Sequence, residues 1–260
     1  MENYQRFRNL HYKETPLLLG NVWDDKSALL FEQAGYDAIG TSSAAIASSL
    51  GYEDGEEMCF EELLLIVKSI TAKVSIPLTV DIEAGYSRNT DEIIRNIVTL
   101  HNNGVVGINI EDSICINKHR NMQELLNFSH IIKSIKTYLI KNNINLFLNI
   151  RTDAYILGLI NPKEETIKRI KMYEKSGADG IFVPCLTKED DIKEIIRFCK
   201  TPVNIMAMPD LPKFEILQSL GIKRISMGPF MYTNVQDNME TTIKVIKDNN
   251  SFESLFHGNN

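Results

Sequence analysis

The sequence predicts an α/β fold, specifically a (β/α)8 barrel in which a closed parallel sheet is surrounded by helices. Short runs rich in Val, Ile and Leu alternate along the chain with longer stretches of helical apolar spacing. Nearly continuous apolar strands separated by helices are typical of a parallel sheet whose outer face is covered. The chain length of 260 residues also suits one barrel of roughly 250 residues.

Eight apolar runs are the predicted strands. They cover residues 17–23, 37–42, 77–84, 105–112, 146–154, 180–186, 203–209 and 224–232. Eight strands favour a closed barrel, and an open doubly wound sheet is the alternative. We therefore expect one domain over residues 1–260, with the barrel at about 17–247 and a tail at 248–260.

Amphipathic stretches between these runs are the predicted helices. In residues 91–102, for example, Ile93, Ile94, Ile97 and Leu100 fall on one helical face. The other stretches are residues 26–34, 60–73, 123–141, 164–176, 189–199, 214–220 and 238–247. A glycine follows four of these helices and precedes a strand, at positions 35, 104, 177 and 221. Glycine there can adopt the left-handed conformation that ends a helix.

Composition limits the function classes. The formal net charge is −6, and Lys and Arg form no cluster, which argues against a nucleic-acid or anionic-membrane binder. No apolar run approaches the roughly 20 residues that span a bilayer, and the N-terminal stretch lacks the apolar region of a secretion signal. The four cysteines form no CxxC motif. These features predict a cytoplasmic protein with reduced thiols.

Charged residues occur at the ends of three successive apolar runs, where a barrel of this kind has its active site. Asp81 and Glu83 share one face of the third run because they are two residues apart. Glu111 ends the fourth run and Arg151 the fifth. Three confined carboxylates repel one another unless a cation or protons neutralise them. We therefore predict a site for Mg²⁺, or for Mn²⁺, with Arg151 facing a substrate carboxylate or an enolate. The alternative is that the acids cap the following helices.

The second run leads into residues 40–51, a stretch of small and hydroxyl-bearing residues. We predict a loop whose hydroxyls and backbone N–H groups hold an anion. A plain polar turn is the alternative.

Four stretches together resemble the isocitrate lyase/phosphoenolpyruvate mutase superfamily, and in particular its smaller members, which include methylisocitrate lyase, phosphoenolpyruvate mutase, phosphonopyruvate hydrolase and oxaloacetate decarboxylase. The stretches are GNVWDDKSALLFEQAGYDAIGTSSAAIASSLGYEDGE, PLTVDIEAGY, GVVGINIEDS and NIRTDAY. The resemblance runs from about residue 18 to residue 247. It implies a (β/α)8 barrel that binds Mg²⁺ together with a 2-oxoacid or its enolate.

The resemblance also implies roles for individual residues. Asp81, Glu83 and Glu111 match the carboxylates around the metal, and Arg151 matches a substrate-facing arginine. Asp54 matches an acid near the metal and the reacting centre. The remaining matches form the loop that holds the substrate carboxylate, namely Ser42, Ser43 and Ala44. Members assemble as dimers and tetramers in which the C-terminal helix packs on a neighbouring subunit, and the apolar tail residues Phe252, Leu255 and Phe256 could serve that contact.

One segment departs from the superfamily. Its lyases carry K-[KR]-C-G-H on a loop after the acid that matches Glu111, and the cysteine protonates the enolate. Residues 112–121 contain no Cys-Gly-His, and His119 falls at the position of that cysteine. His119 is thus a candidate proton donor, and a solvated surface histidine is the alternative. Cys115 lies between two isoleucines, which indicates packing. The Lys and Asn pattern of the mutases is not matched cleanly either.

These observations lead to a functional hypothesis. We expect a Mg²⁺-dependent lyase or decarboxylase that cleaves a C–C bond of a small 2-oxo or 2-hydroxy carboxylate through a metal-stabilised enolate. The runner-up is C–P chemistry, as in a phosphoenolpyruvate phosphonomutase or a phosphonopyruvate hydrolase. An alternative of another class is an oxoacid-binding barrel without turnover. The expected partners are the carboxylate substrate and further copies of the chain, in a homodimer or homotetramer.

Overall fold

The computed structural model describes residues 2–256, and within them eight parallel strands close into a barrel. Strands β1 (Leu17–Val22), β2 (Ile39–Thr41), β3 (Leu78–Asp81) and β4 (Gly107–Glu111) are neighbours in chain order. A hairpin of β5 (Ser113–Ile116) and β6 (His119–Met122) follows, outside the barrel. The ring continues through β7 (Phe147–Arg151), β8 (Gly180–Phe182), β9 (Val203–Met206) and β10 (Arg224–Ser226), which pairs with β1. Each predicted run holds one barrel strand, so the barrel is confirmed and the open sheet is wrong.

The helices cover the outside of this barrel. They are α1 (Glu2–Leu10), α2 (Asp25–Gln33), α3 (Ser43–Leu50), α4 (Phe60–Thr71), α5 (Thr90–Asn102), α6 (Leu125–Lys141), α7 (Pro162–Ser176), α8 (Glu189–Phe198), α9 (Phe214–Leu220) and α10 (Phe230–Asn249). A 3-10 turn spans Glu253–Leu255. The predicted stretch 91–102 is α5, and its Ile93, Ile97 and Leu100 are buried. Gly177 and Gly221 end α7 and α9 with positive φ angles of 106° and 93°, as predicted.

Besides the hairpin of β5 and β6, which was not predicted, three elements differ from the predictions. The stretch predicted as an anion-holding loop is helix α3, because the Ser42 hydroxyl accepts a hydrogen bond from Ala45 N at 3.3 Å and Gly51 ends the helix at φ 86°. Helix α10 begins at Phe230, eight residues before the predicted start at 238. Helix α1 was not predicted, and it closes the lower end of the barrel with the buried residues Phe7 and Leu10.

A column of polar side chains fills the barrel interior beneath the strand ends. Asn149 donates to Asn109 Oδ1 at 2.9 Å, and Asn109 donates to Asp81 Oδ2 at 3.4 Å. Arg224 lies on β10, opposite β4 in the ring, and reaches across the barrel to Asn109 Oδ1 at 3.4 Å. These contacts tie the carboxylate of Asp81 to three other strands, so the interior positions the end of β3.

Helix α10 is largely uncovered by the rest of the described chain. None of its twenty residues, all of which the structure describes, is buried. Met231, Val235, Met239 and Ile243 recur every fourth residue and are 38–56% exposed. The predicted tail 248–260 is described only as far as Phe256, and the predicted contact with a neighbouring subunit stays a prediction. Among residues 2–256, no helix is both long enough and apolar enough to cross a membrane.

Candidate active site

The carboxyl ends of β3, β4 and β7 bring together the acidic and basic residues that the sequence singled out. These strands are neighbours in the ring, and their register places Asp81 beside Asn109 and Glu111 beside Arg151. Asp81, Glu83, Glu111 and Arg151 are each at most 8% exposed. The acids do not act as helix caps, because the side chains that cap α5 and α6 are those of Asn89 and Glu124. The helix-capping alternative is therefore wrong for these positions.

Glu83 is held in an unusual conformation. Its φ angle is +49°, a left-handed value that costs a non-glycine residue about 1–3 kcal/mol. Its backbone N–H donates to Asp81 Oδ1 at 3.0 Å, and Tyr86 donates its hydroxyl proton to Glu83 Oε1 at 3.3 Å. The second oxygen, Oε2, is buried and has no hydrogen-bond partner among residues 2–256. A buried carboxylate oxygen without a partner is the kind of atom that a cation satisfies.

The pKa values show that the cluster lacks positive charge around Glu83. Burial, with Asp54 and Asp81 nearby, raises the pKa of Glu83 to about 8. Burial also raises the pKa of Asp81, against the attraction of Arg151. A proton on Glu83 or a cation beside it would each relieve this excess of negative charge.

Arg151 contacts two buried acids. Its Nη1 lies 2.7 Å from Glu111 Oε2, and its Nε lies 2.6 Å from Asp153 Oδ1. Despite burial, these acids hold the pKa of Arg151 well above its usual value. Asp153 is itself fixed, because its backbone N–H donates to Asp112 Oδ1 at 2.9 Å. Asp112 in turn accepts a hydrogen bond from Tyr173 at 2.6 Å. The guanidinium of Arg151 thus has a fixed direction before any ligand arrives.

Arg120 is the site residue that the sequence analysis missed. Its Nη1 bonds to Glu111 Oε1, to Ser113 Oγ at 2.9 Å and to Asp153 Oδ2 at 3.3 Å. Its Nη2 donates to Asp54 Oδ2 at 3.0 Å. Arg120 comes from the hairpin of β5 and β6, whose turn contains Asn117 and Lys118 at positive φ. Hairpin turns with two positive φ angles favour Asn-Gly, and Lys118 stands where the glycine would, so the sequence gives only a weak signal of this strand pair.

The same hairpin decides where His119 lies. Successive residues of a strand point to opposite faces, and Arg120 points into the cluster. His119 is exposed and lies on the opposite face of the hairpin from Arg120. Its carbonyl oxygen accepts a hydrogen bond from the Asn121 side chain. The structure does not bring His119 to the acidic cluster, and its role as proton donor stays a prediction.

Asp54 lies on the loop of residues 52–58, which meets the hairpin above the cluster. Its carboxylate is 38% exposed and pairs with Arg120. Gly55 has a φ angle of 120°, and a Cβ atom there would lie 2.5 Å from Cys115 Sγ. Lys118 and Glu57 form a further ion pair at 3.7 Å. Cys115 thus packs between the two segments, as the sequence indicated, and the loop and the hairpin form one cover.

Ser42, Ser43 and Ala44 stand at the end of β2 and the start of α3, beside β3. Ser42 and Ser43 are buried, and Ala44 is half-buried. Thr41, the residue before them, accepts a hydrogen bond from Asp81 N at 2.9 Å through its hydroxyl oxygen. The start of a helix offers free backbone N–H groups to an anion. Their role in holding a substrate carboxylate stays a prediction.

The residues present fit a hard divalent cation, although their side chains do not form a ready set of ligands. Within residues 2–256, no three Asp, Glu, His or Cys side chains are arranged to hold a metal ion. Arg120 and Arg151 lie against the oxygens of Glu111, while Glu83 N and Asn109 donate to those of Asp81. Nevertheless, Glu83 Oε2 has no hydrogen-bond partner among residues 2–256, and the carboxylates of Asp54 and Asp81 lie near it. Oxygen ligands of this kind suit Mg²⁺ or Mn²⁺.

A closed parallel barrel with acids and arginines at the carboxyl ends of its strands is typical of the (β/α)8-barrel enzymes. Comparison with known proteins then gives the family. The family model for phosphoenolpyruvate phosphomutase matches residues 7–247. The chain therefore belongs to the phosphoenolpyruvate phosphomutase family, which confirms the resemblance drawn from the sequence.

Curated relatives include both uncharacterised proteins and enzymes. An uncharacterised Mycobacterium tuberculosis H37Rv protein, Rv1998c, is 34% identical over 228 residues, covering 87% of this chain and 83% of its own. A 2-methylisocitrate lyase of Aeropyrum pernix is 28% identical, covering 75% and 63% of the two chains. An oxaloacetate decarboxylase of Paraburkholderia xenovorans is also 28% identical, covering 79% and 69%.

Solved structures share the fold over nearly the whole chain. A Burkholderia cenocepacia protein provisionally called a phosphonomutase has a TM-score of 0.87 and 28% identity, covering 94% of this chain and 98% of its own. A phosphonopyruvate hydrolase, solved with oxalate and Mg²⁺, has a TM-score of 0.85 at 21% identity, covering 96% and 89%. The second likeness shows the fold alone.

Proposed function

We propose that the protein is a Mg²⁺-dependent enzyme that cleaves a C–C bond of a small 2-oxo or 2-hydroxy carboxylate. The observation that carries this proposal is the buried acidic cluster, in which Glu83 Oε2 has no partner within the described part of the chain while Arg151 has a fixed direction. Asp81, Glu83 and Glu111 are the residues that would hold the cation. When bound, Mg²⁺ polarises the oxygen next to the breaking bond and stabilises the negative charge that develops there.

The other residues of the site bind and orient the substrate. Ser42, Ser43 and the first N–H groups of α3 are suited to a substrate carboxylate, since helix starts favour anions. Arg151, fixed by Asp153, faces the charge that develops on the enolate oxygen. Asp54 and the hairpin lie above the cluster, where the carboxylate of Asp54 pairs with Arg120 at 3.0 Å.

Two observations bear on the kind of bond that is broken. The enzymes named among the curated relatives are lyases and a decarboxylase, which favours C–C cleavage. The family model and the Burkholderia structure carry the names of phosphonate enzymes, so C–P chemistry is the second candidate. The alternative of a barrel that binds an oxoacid without turnover is supported by the hairpin. Its described residues place Arg120, and not the candidate proton donor His119, at the cluster.

A substrate screen tests the proposal. Oxaloacetate, 2-methylisocitrate, 2,3-dimethylmalate and phosphonopyruvate are incubated with the enzyme, with and without Mg²⁺, and the products are measured. We expect one of the three C–C substrates to be cleaved only when Mg²⁺ is present. Turnover of phosphonopyruvate alone would establish the second candidate. Oxoacid binding in calorimetry without any product would establish the silent barrel.

We further propose that the partner of α10 is a second copy of this chain, in a homodimer or homotetramer. The exposed stripe of Met231, Val235, Met239 and Ile243 is apolar, and a helix with such a face must bury it against another surface. Phe252 and Phe256, 67% and 80% exposed, extend the same apolar end of the chain. Exposed apolar surface of this extent marks an interaction site.

A further inference from the structure

We propose that Arg120 is a built-in counter-cation of the acidic cluster, which a divalent cation must displace from Glu111 in order to bind. The hairpin of β5 and β6 moves with it, so cation binding and the position of the hairpin are coupled. This inference rests on the proposed metal site and adds a residue that sets the affinity of that site.

The contacts of Arg120 support this role. One guanidinium group touches three acids, Glu111, Asp153 and Asp54, although it arises from a hairpin outside the barrel. Glu111 and Asp153 are almost fully buried, whereas the hairpin itself is half-exposed, with Ile116 51% exposed. Ser113 of β5 also attaches the hairpin to the site, because its hydroxyl donates to Glu111 Oε1 at 3.2 Å and to Asp153 Oδ2 at 2.5 Å. The attachment of β6 to the same acids is the charged one made by Arg120.

A divalent cation and Arg120 compete for the same atom. Mg²⁺ approaches its oxygen ligands to about 2.0–2.1 Å. Glu111 Oε2 already faces Arg151, and Glu111 Oε1 is the oxygen that Arg120 contacts. A cation that takes Oε1 places two positive charges next to the Arg120 guanidinium. The repulsion between them is removed only when Arg120 leaves.

Release of Arg120 also frees the cover of the site. Its Nη2 holds Asp54 of the 52–58 loop, and this bond is lost with the others. Two other contacts join loop and hairpin, namely the packing of Cys115 on Gly55 and the exposed pair of Lys118 with Glu57. Exposed pairs contribute little to stability. The cation-bound protein therefore has a more mobile hairpin and a free Asp54 carboxylate.

Molecules in which Arg120 contacts Glu111 lower the apparent affinity of the protein for the cation. If Arg120 occupies the cluster in most molecules, the measured Kd equals the intrinsic Kd divided by the small competent fraction. The variant Arg120→Gln removes the competing charge and retains a polar side chain. Lys118→Gln is the matched control, because it removes one positive charge from the same hairpin without touching the cluster.

Mn²⁺ binding, measured by electron paramagnetic resonance on the full chain, tests the inference. We expect Arg120→Gln to bind Mn²⁺ about tenfold more tightly than wild type, with Lys118→Gln unchanged and Arg120→Lys in between. Equal or weaker binding by a folded Arg120→Gln overturns the inference but leaves the metal site in place. Failure of wild type and of every variant to bind Mn²⁺ overturns the metal site as well.

Hydrogen exchange gives a readout that is independent of affinity. We expect added Mn²⁺ to speed amide exchange of residues 113–122 in wild type and to have no such effect in Arg120→Gln, where the hairpin is already released. If Mn²⁺ slows exchange there in wild type, Arg120 stays in place when the cation binds and the inference is wrong.

Discussion

Replacement of Arg151 by alanine tests whether the arginine both stabilises the site and acts in turnover. Arg151 pairs with Glu111 at 2.7 Å and with Asp153 at 2.6 Å, and all three side chains are at most 10% exposed. Removing one partner of a buried ion pair costs about 3–5 kcal/mol. Arg120 still contacts both acids in the variant. We therefore expect a loss near the lower end, about 3 kcal/mol of the free energy of unfolding.

Urea unfolding of Arg151→Ala and Arg88→Ala checks this value. Arg88 pairs with Glu56 at 2.6 Å but is 50% exposed, so its loss costs about 0–1 kcal/mol. In turnover, Arg151→Ala is expected to lose about 10²–10³-fold on the substrate found by the screen. Equal unfolding free energies for the two variants would refute the stabilising role. Wild-type turnover by Arg151→Ala would refute the catalytic one.

Three further predictions concern the cation, His11 at the lower end of the barrel, and the assembly. Asp81→Asn keeps the acceptor for Glu83 N and should lose about 10²–10³-fold in turnover without lowering the urea midpoint; unchanged turnover would contradict its assignment as a ligand. Burial beside Arg224 lowers the pKa of His11 to about 3. As the pH falls below about 6.5, His11 takes up a proton in the unfolded chain and stays neutral in the folded protein. Wild type should therefore lose about 1.4 kcal/mol of unfolding free energy between pH 7.5 and 5.5, relative to His11→Phe. An equal pH dependence of the unfolding free energy in the two proteins would contradict this. Ile243→Asp should convert the oligomer to monomers in light scattering, and a monomeric wild type would disprove the assembly.

The strands and the main site residues could be predicted because both follow from local pattern. Nearly continuous apolar runs locate the strands, and a parallel barrel brings the carboxyl ends of its strands to one face. Asp81, Glu111 and Arg151 therefore had to lie on that face once the barrel was assigned. Their pairing in register is a consequence of the ring order, in which β4 and β7 are neighbours.

Other features depend on information that the apolar pattern does not carry. Whether Arg120 or His119 faces the cluster is decided by the alternation of side chains along β6, and a shift of one residue in the hairpin register would exchange them. Helix α3 is short and rich in Ala and Ser, so it lacks an apolar stripe, and the Ser42 cap is its main signal. Helix α10 begins inside the predicted run 224–232, because Phe230, Met231 and Tyr232 continue the apolar pattern although β10 ends at Ser226.

A crystal structure of the protein soaked with Mn²⁺ and oxalate tests the central claim most directly. The anomalous signal of manganese locates the ion independently of the surrounding protein. The account predicts one peak among the carboxylates of Asp81, Glu83 and Glu111, with oxalate bound to the ion and facing Arg151. A well-occupied oxalate with no manganese at these carboxylates, or an ion bound elsewhere on the barrel, would contradict it.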